Sequence, residues 1–103
     1  MSKYRIDFIS LDWESPMEGV RQKLITDGEK KLRLVEYFPT MQPHWCERGH
    51  FGYILEGRLE IEFKSGTYVY NQGDGVFIPN GEVHRHRARV LSDVVRVILV
   101  EDA

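Results

Sequence analysis

Hydrophobic and polar residues alternate along much of the chain. In Arg58–Lys64, Leu59, Ile61 and Phe63 fall on one face, and Arg58, Glu60, Glu62 and Lys64 on the other. That period of two predicts a half-buried strand. The segment KLRLVEYF at 31–38 puts Leu32, Leu34 and Phe38 on one face, with Glu36 as the exception. Val94–Val100 carries apolar residues on both faces, which predicts a strand covered on both sides.

Turn-forming pairs separate these runs at short intervals: Asp27-Gly28, Glu56-Gly57, Ser65-Gly66, Gly73-Asp74-Gly75 and Pro79-Asn80-Gly81. Only Ser15–Lys23, opened by Ser15-Pro16, has the look of a short helix. No linker, repeat or low-complexity segment interrupts the pattern. Many short strands with regular turns predict an all-β domain, an antiparallel sandwich or barrel, and closure of the sheet removes exposed edges.

Composition narrows the reading. A length of 103 residues fits one domain, 1–103, with a single modest core. With 42% hydrophobic and 29% charged residues, the chain reads as globular rather than disordered. The net charge is −2, and the densest basic run, HRHRAR at 84–89, is short, so no nucleic-acid footprint is expected. The longest purely apolar run, Val97–Val100, is far too short to span a bilayer, and no membrane association is expected. The N-terminal residues lack the apolar stretch of an export signal, and the single cysteine, Cys46, excludes an internal disulfide. A reducing, cytoplasmic location is the resulting expectation.

The candidate chemistry is concentrated. All four histidines and the cysteine lie in two patches, with His44, Cys46 and His50 in the first and His84 and His86 in the second. Residues two apart on a strand share a face, so His44 can point with Cys46, and His84 with His86. If the patches lie on neighbouring strands, three or four donors converge. Imidazole and thiolate are good ligands for zinc and related metals. Each donor alone has a plainer reading: a hydrogen-bonded histidine, or a cysteine buried as a small apolar residue.

The spacing of these residues resembles that of the cupins. Their first motif runs Gly, His-x-His, three or four residues, Glu, six residues, Gly. Here His44, Cys46, His50 and Gly57 hold the last four positions, with Cys46 for the second His and His50 for the Glu. Their second motif runs Gly, five residues, Pro, x, Gly, two residues, His, three residues, Asn. Gly73, Pro79, Gly81 and His84 match it, while Ala88 replaces the Asn. The His44-Trp45-Cys46 run is also similar to small cupins described by a DHCW motif.

The resemblance, which runs from about Val35 to the C-terminus, implies a cupin double-stranded β-helix, a jelly-roll barrel of two antiparallel sheets. It implies a divalent metal held by His44, Cys46, His50 and His84. It also implies a small-molecule ligand inside the barrel and a homodimer. Three His and one Cys form a softer set than the usual three His and one Glu. That favours zinc over iron, nickel or manganese. Four such ligands would close a tetrahedron and suit binding or sensing. Three would leave a position for water, as a metal-dependent isomerase, lyase or oxygenase needs. The candidates for acid–base work are His86, on the His84 face, Tyr53, which packing also explains, and Glu36, a pocket carboxylate or a strand-edge exception. Trp45 is expected to face away from the metal and to pack. Arg85, Arg87 and Arg89 are expected to face solvent or a partner subunit.

Overall fold

Each of the turn signals lies at a junction between strands in the computed structural model, which describes residues 4–103. The strands are β1 (Glu14–Met17), β2 (Val20–Asp27), β3 (Lys30–Tyr37), β4 (His50–Glu56), β5 (Arg58–Phe63), β6 (Gly66–Asn71), β7 (Gly75–Ile78), β8 (His86–Val90) and β9 (Val95–Asp102). Gly57 shows why glycine is needed at one of these corners. Its φ is +91°, and a Cβ there would lie 2.1 Å from the Val94 carbonyl oxygen.

The helix expected at 15–23 is absent. Ser15-Pro16 lies in β1 and Val20–Lys23 in β2, and Gly19, with φ +76°, turns the chain between them. Proline is tolerated there because β1 is the edge of its sheet, where a missing N–H costs no ladder bond.

Six strands form one sheet in the order β1-β2-β3-β9-β4-β7, and three form the other in the order β6-β5-β8. Every paired neighbour is antiparallel. The sheets face each other across one core built from Val20, Val35, Ile54, Leu59, Ile61, Val76, Ile78, Val95, Val97 and Leu99, with Met41 from a loop. This is the antiparallel two-sheet barrel that the pattern predicts and the double-stranded β-helix that the resemblance implies. Leu59 and Ile61 are buried on the expected face of β5, with Phe63 partly buried beside them.

Two faces depart from expectation. On β3 the interior residues are Lys31, Arg33, Val35 and Tyr37, because Val35 pairs with Val97 and Tyr37 with Val95 of the core. Leu32, Leu34 and Glu36 therefore lie on the outer face. β9 is covered on one side only. Val95, Val97, Leu99 and Glu101 are buried, whereas Val100, on the other face, is 41% exposed.

The core is apolar along most of its length and polar at one end. There the inward series of β9 ends in Glu101, and that of β3 in Arg33 and Lys31. That polar end holds the donor residues.

Candidate metal centre

Cys46, His50 and His86 converge. One donor atom from each lies within 4.8 Å of the others. Three separate pieces of backbone bring them together. Cys46 and His86 are the two halves of an isolated antiparallel bridge, in which each N–H donates to the other's carbonyl oxygen, at 2.8 and 2.9 Å. A pair that exchanges both bonds sits directly opposite, so the two side chains emerge side by side. His50 opens β4 and pairs with Ile78 of β7. Its ring lies 5.2 Å from that of His86, nearly perpendicular to it.

The Pro79-Asn80-Gly81 turn fixes the loop that carries these donors. Gly49 N–H donates to Asn80 Oδ1 at 2.6 Å, and Gly81 N–H donates to the Glu47 carbonyl oxygen at 3.0 Å. A Cβ on Gly49 would come within 2.3 Å of the Ile78 carbonyl oxygen, so only glycine fits this approach.

Both imidazoles are oriented by their second nitrogen. His50 Nδ1–H donates to the buried carboxylate of Glu101. His86 Nδ1–H donates to the His84 carbonyl oxygen at 3.1 Å. Neither acceptor can donate, so a neutral ring at either position carries its proton on Nδ1 and leaves the Nε2 lone pair to ligate. Burial pushes the His86 pKa down. The His84 carbonyl opposes that shift, and the nearby His50 and His44 rings reinforce it. A neutral His86 is the form that can ligate.

Glu101 is 3% exposed. Burial would raise its pKa, yet the hydrogen bond from His50 and the charge of Arg33 outweigh burial and hold it at about 2. Arg33 Nη1 donates to Glu101 Oε2 at 2.6 Å, and Arg33 Nε donates to Gln22 Oε1 at 2.9 Å. Lys31 Nζ lies 3.5 Å from Glu101 Oε1.

These residues border a cavity of about 330 Å³. Its polar wall carries Arg33, Arg48, His44 and Glu101 beside the three donors, and its apolar wall carries Val20, Tyr37 and Met41.

The expected ligands are thus only partly brought together. Cys46 and His50 lie in the group. His44 is exposed on the cavity wall, with Nδ1 3.3 Å from the Gln42 carbonyl oxygen, and stays outside the group. His84 lies in a 3-10 turn, Glu82–His84, and is neither in the group nor on the cavity wall. Strand alternation starts only at His86, so the two histidines do not share a face. His84 contributes its carbonyl oxygen instead.

Of the acid–base candidates, only His86 faces the cavity. Tyr53 pairs with Ile98 on the outer face of the six-stranded sheet and is 48% exposed. Glu36 lies on that face too, between Arg21 Nε at 2.6 Å and Arg96 Nε at 2.9 Å. Trp45 packs against the guanidinium groups of Arg85 and Arg87, 4.8 and 4.9 Å from its ring. The residues that sequence reasoning passed over are Glu101, Arg33, Lys31 and Arg48. The available signal was a charged residue in phase with buried ones, as Glu101 is with Val95, Val97 and Leu99.

A family model described as "Cupin domain" matches residues 33–101. No curated protein matches the sequence significantly. Among solved structures, KdgF from Halomonas sp. is 23% identical with a TM-score of 0.70, over 89% of this chain and 88% of that one. A sugar phosphate isomerase of the cupin superfamily from Silicibacter pomeroyi is 18% identical with a TM-score of 0.75, over 96% and 75%. The polyketide cyclase RemF from Streptomyces resistomycificus is 20% identical with a TM-score of 0.75, over 95% and 78%. At these identities the likeness is one of fold.

Proposed function

The chain belongs to the cupin family, and on that premise we propose that it holds one divalent transition metal on Cys46, His50 and His86 and acts on a small polar molecule in the adjoining cavity. One observation carries the reading: three soft donors converge on the wall of that cavity. Three protein ligands leave coordination positions open, the arrangement of catalytic rather than structural zinc sites. A thiolate with two imidazoles favours zinc, with iron, nickel and manganese as alternatives. A bound metal would supply Lewis acidity or an activated water. The chain's own residues do the rest. Glu101 and the His84 carbonyl aim the two rings, and the apolar wall limits water. Structural relatives named as an isomerase and a cyclase support an enzyme acting on a small molecule.

A second reading rests on His44. It stands on the same cavity wall, and a change of rotamer toward His86 would bring a fourth donor. That would close a zinc tetrahedron and make the barrel a non-catalytic binding or sensing module.

Elemental analysis of the untagged protein tests both readings. About one equivalent of zinc is expected in the wild type, lost in His86→Ala and retained in His84→Ala, as one intact set of ligands requires. Loss of zinc in His84→Ala with retention in His86→Ala would overturn the ligand set. A fall in zinc affinity for His44→Ala as steep as for His86→Ala would favour the closed site.

The chain is also proposed to form a homodimer through the outer face of its six-stranded sheet. Phe51, Phe77 and Val100 lie exposed there on three neighbouring strands, at 43, 79 and 41%. A cytoplasmic location is proposed because a ligating thiol needs reducing surroundings. Among the described residues no helix is long and apolar enough to cross a membrane.

A further inference from the structure

The chain as a whole is slightly acidic, with 14 Lys and Arg against 16 Asp and Glu. Its cavity has the opposite balance. Lys31, Arg33, Arg48 and Arg87 border it, with Glu101 as the one acidic residue. Some of this positive charge is already committed. Arg33 is bound to Glu101, and Arg87 Nε donates to Glu62 at 2.8 Å. Two cations remain in excess. Lys31 shares Glu101 with Arg33, from 3.5 Å. Arg48 makes no ion pair within 4.0 Å among the described residues, although its charge also acts on Asp102.

The positions of these two cations matter. Arg48 lies midway in sequence between Cys46 and His50, so its guanidinium arises from the loop that carries two of the donors. Lys31 and Arg33 rise from the inner face of β3 beside Glu101, which holds His50. The cations therefore flank the donor group. Much of the remaining wall is apolar, with Met17, Val20, Tyr37, Met41 and Ala88. A low-dielectric cleft lined by one sign of charge focuses its field and concentrates ligands of the opposite sign. At about 330 Å³ it lies at the small end of ligand pockets.

We propose that this cavity takes a small organic oxyanion, a carboxylate or phosphate monoester with a compact apolar body. The oxyanion sits on Arg48 and Lys31, and the body lies against Tyr37 and Met41. The inference deepens the reading of the cavity as the ligand site and rests on it. Arginine and lysine bind both kinds of oxyanion, and arginine's planar fork also matches a carboxylate edge. Arg33, fixed by Gln22 and Glu101, gives the site a rigid side.

The test uses matched pairs that differ in charge: benzoate and benzamide, lactate and lactamide, glycerol 3-phosphate and glycerol. Binding is followed by NMR titration of the whole chain, zinc-loaded and metal-free, with metal content measured separately. At least one anion is expected to bind about tenfold or more tightly than its neutral partner. It should shift the resonances of β3 and of the 46–50 loop. Arg48→Gln and Lys31→Gln should each weaken it several-fold. Arg58→Gln, which removes one charge at the start of β5, should leave it unchanged. Tighter binding of the carboxylates or of the phosphate identifies the head group.

Selectivity that survives in metal-free protein places it on the cations, even if the metal reading fails. Selectivity that needs zinc and ignores both cavity variants would assign the anion to the metal and overturn the proposal. Equal binding within every pair, or no binding by any anion, would also overturn it.

Discussion

Glu101 spends its charge on a ring that it does not share with solvent. Its carboxylate accepts the Nδ1–H of His50, and that bond together with Arg33 keeps the carboxylate ionised. A histidine held in this way is a better ligand, since its tautomer and ring plane are fixed before the metal arrives. Replacing Glu101 with Gln keeps the shape and removes the charge. The variant is expected to bind zinc about 10- to 100-fold more weakly, as measured by competition with a chromophoric chelator. Unchanged affinity would mean that His50 does not ligate. The two donors of the first motif that join the group, Cys46 and His50, were legible in sequence because donors are scarce in this chain and fall together there. Glu101 was not. It lies 51 residues from His50, and only the pairing of β4 with β9 brings the two strands together. His84 entered the expected set because it holds the histidine position of the second cupin motif, and the 3-10 turn at Glu82–His84 keeps it off the cavity wall that His86 borders.

Strands carry a second charged cluster, remote from the cavity. Glu36 on β3 stands directly across from Arg21 on β2 and Arg96 on β9, so one carboxylate ties three strands together. Burial would raise the pKa of Glu36, but hydrogen bonds from Arg96 and Arg21, and their charges, bring it below its ordinary value of 4.5. A carboxylate with a depressed folded pKa contributes stability that is fully present above its unfolded value. That stability is lost as pH falls through the folded value. Glu36→Gln is therefore expected to cost on the order of 1–2 kcal/mol at neutral pH, a modest figure because both arginines are partly in solvent. The gap between wild type and variant should close as urea melts are run progressively below pH 4.5. A gap that stayed constant with pH would show that the charge of Glu36 does not matter. Strand positions themselves were readable from the glycine turns. Faces were harder to read. In β3 both alternating sets contain charge and hydrocarbon, so periodicity alone could not say that Arg33 points in and Leu34 out.

The whole molecule leaves one sheet face uncovered. The rings of Phe51 and Phe77 stack 4.6 Å apart on it, beside Tyr53 and Val100. On the outer face of the smaller sheet, Glu60 and Glu62 meet Arg89 and Arg87 in ion pairs, a surface suited to water. A second copy is the occupant proposed for the apolar face. Light scattering coupled to gel filtration is expected to give twice the chain mass for wild type and the chain mass for Phe77→Glu. A monomeric wild type at micromolar concentration would remove the dimer. The sequence announced the hydrophobic excess of Val94–Val100, and it was read as a strand covered on both sides. Within one chain only the inner side is covered, because a sequence does not say whether cover comes from its own fold or from another copy.

The bridge between Cys46 and His86 has one further consequence. It is a ladder of a single residue pair, closed by two hydrogen bonds and flanked by backbone that belongs to no strand on the Cys46 side. So short a ladder opens by local fluctuation far more readily than the core strands do. The two residues it joins are two of the three donors. A metal held between them would act as a clasp on this short seam of the barrel, and amide hydrogen exchange at Cys46 and His86 would then time the opening of that clasp. Ion release and local unfolding would be a single event at this seam, so the rate at which the protein loses its metal would be set by backbone breathing as much as by ligand strength.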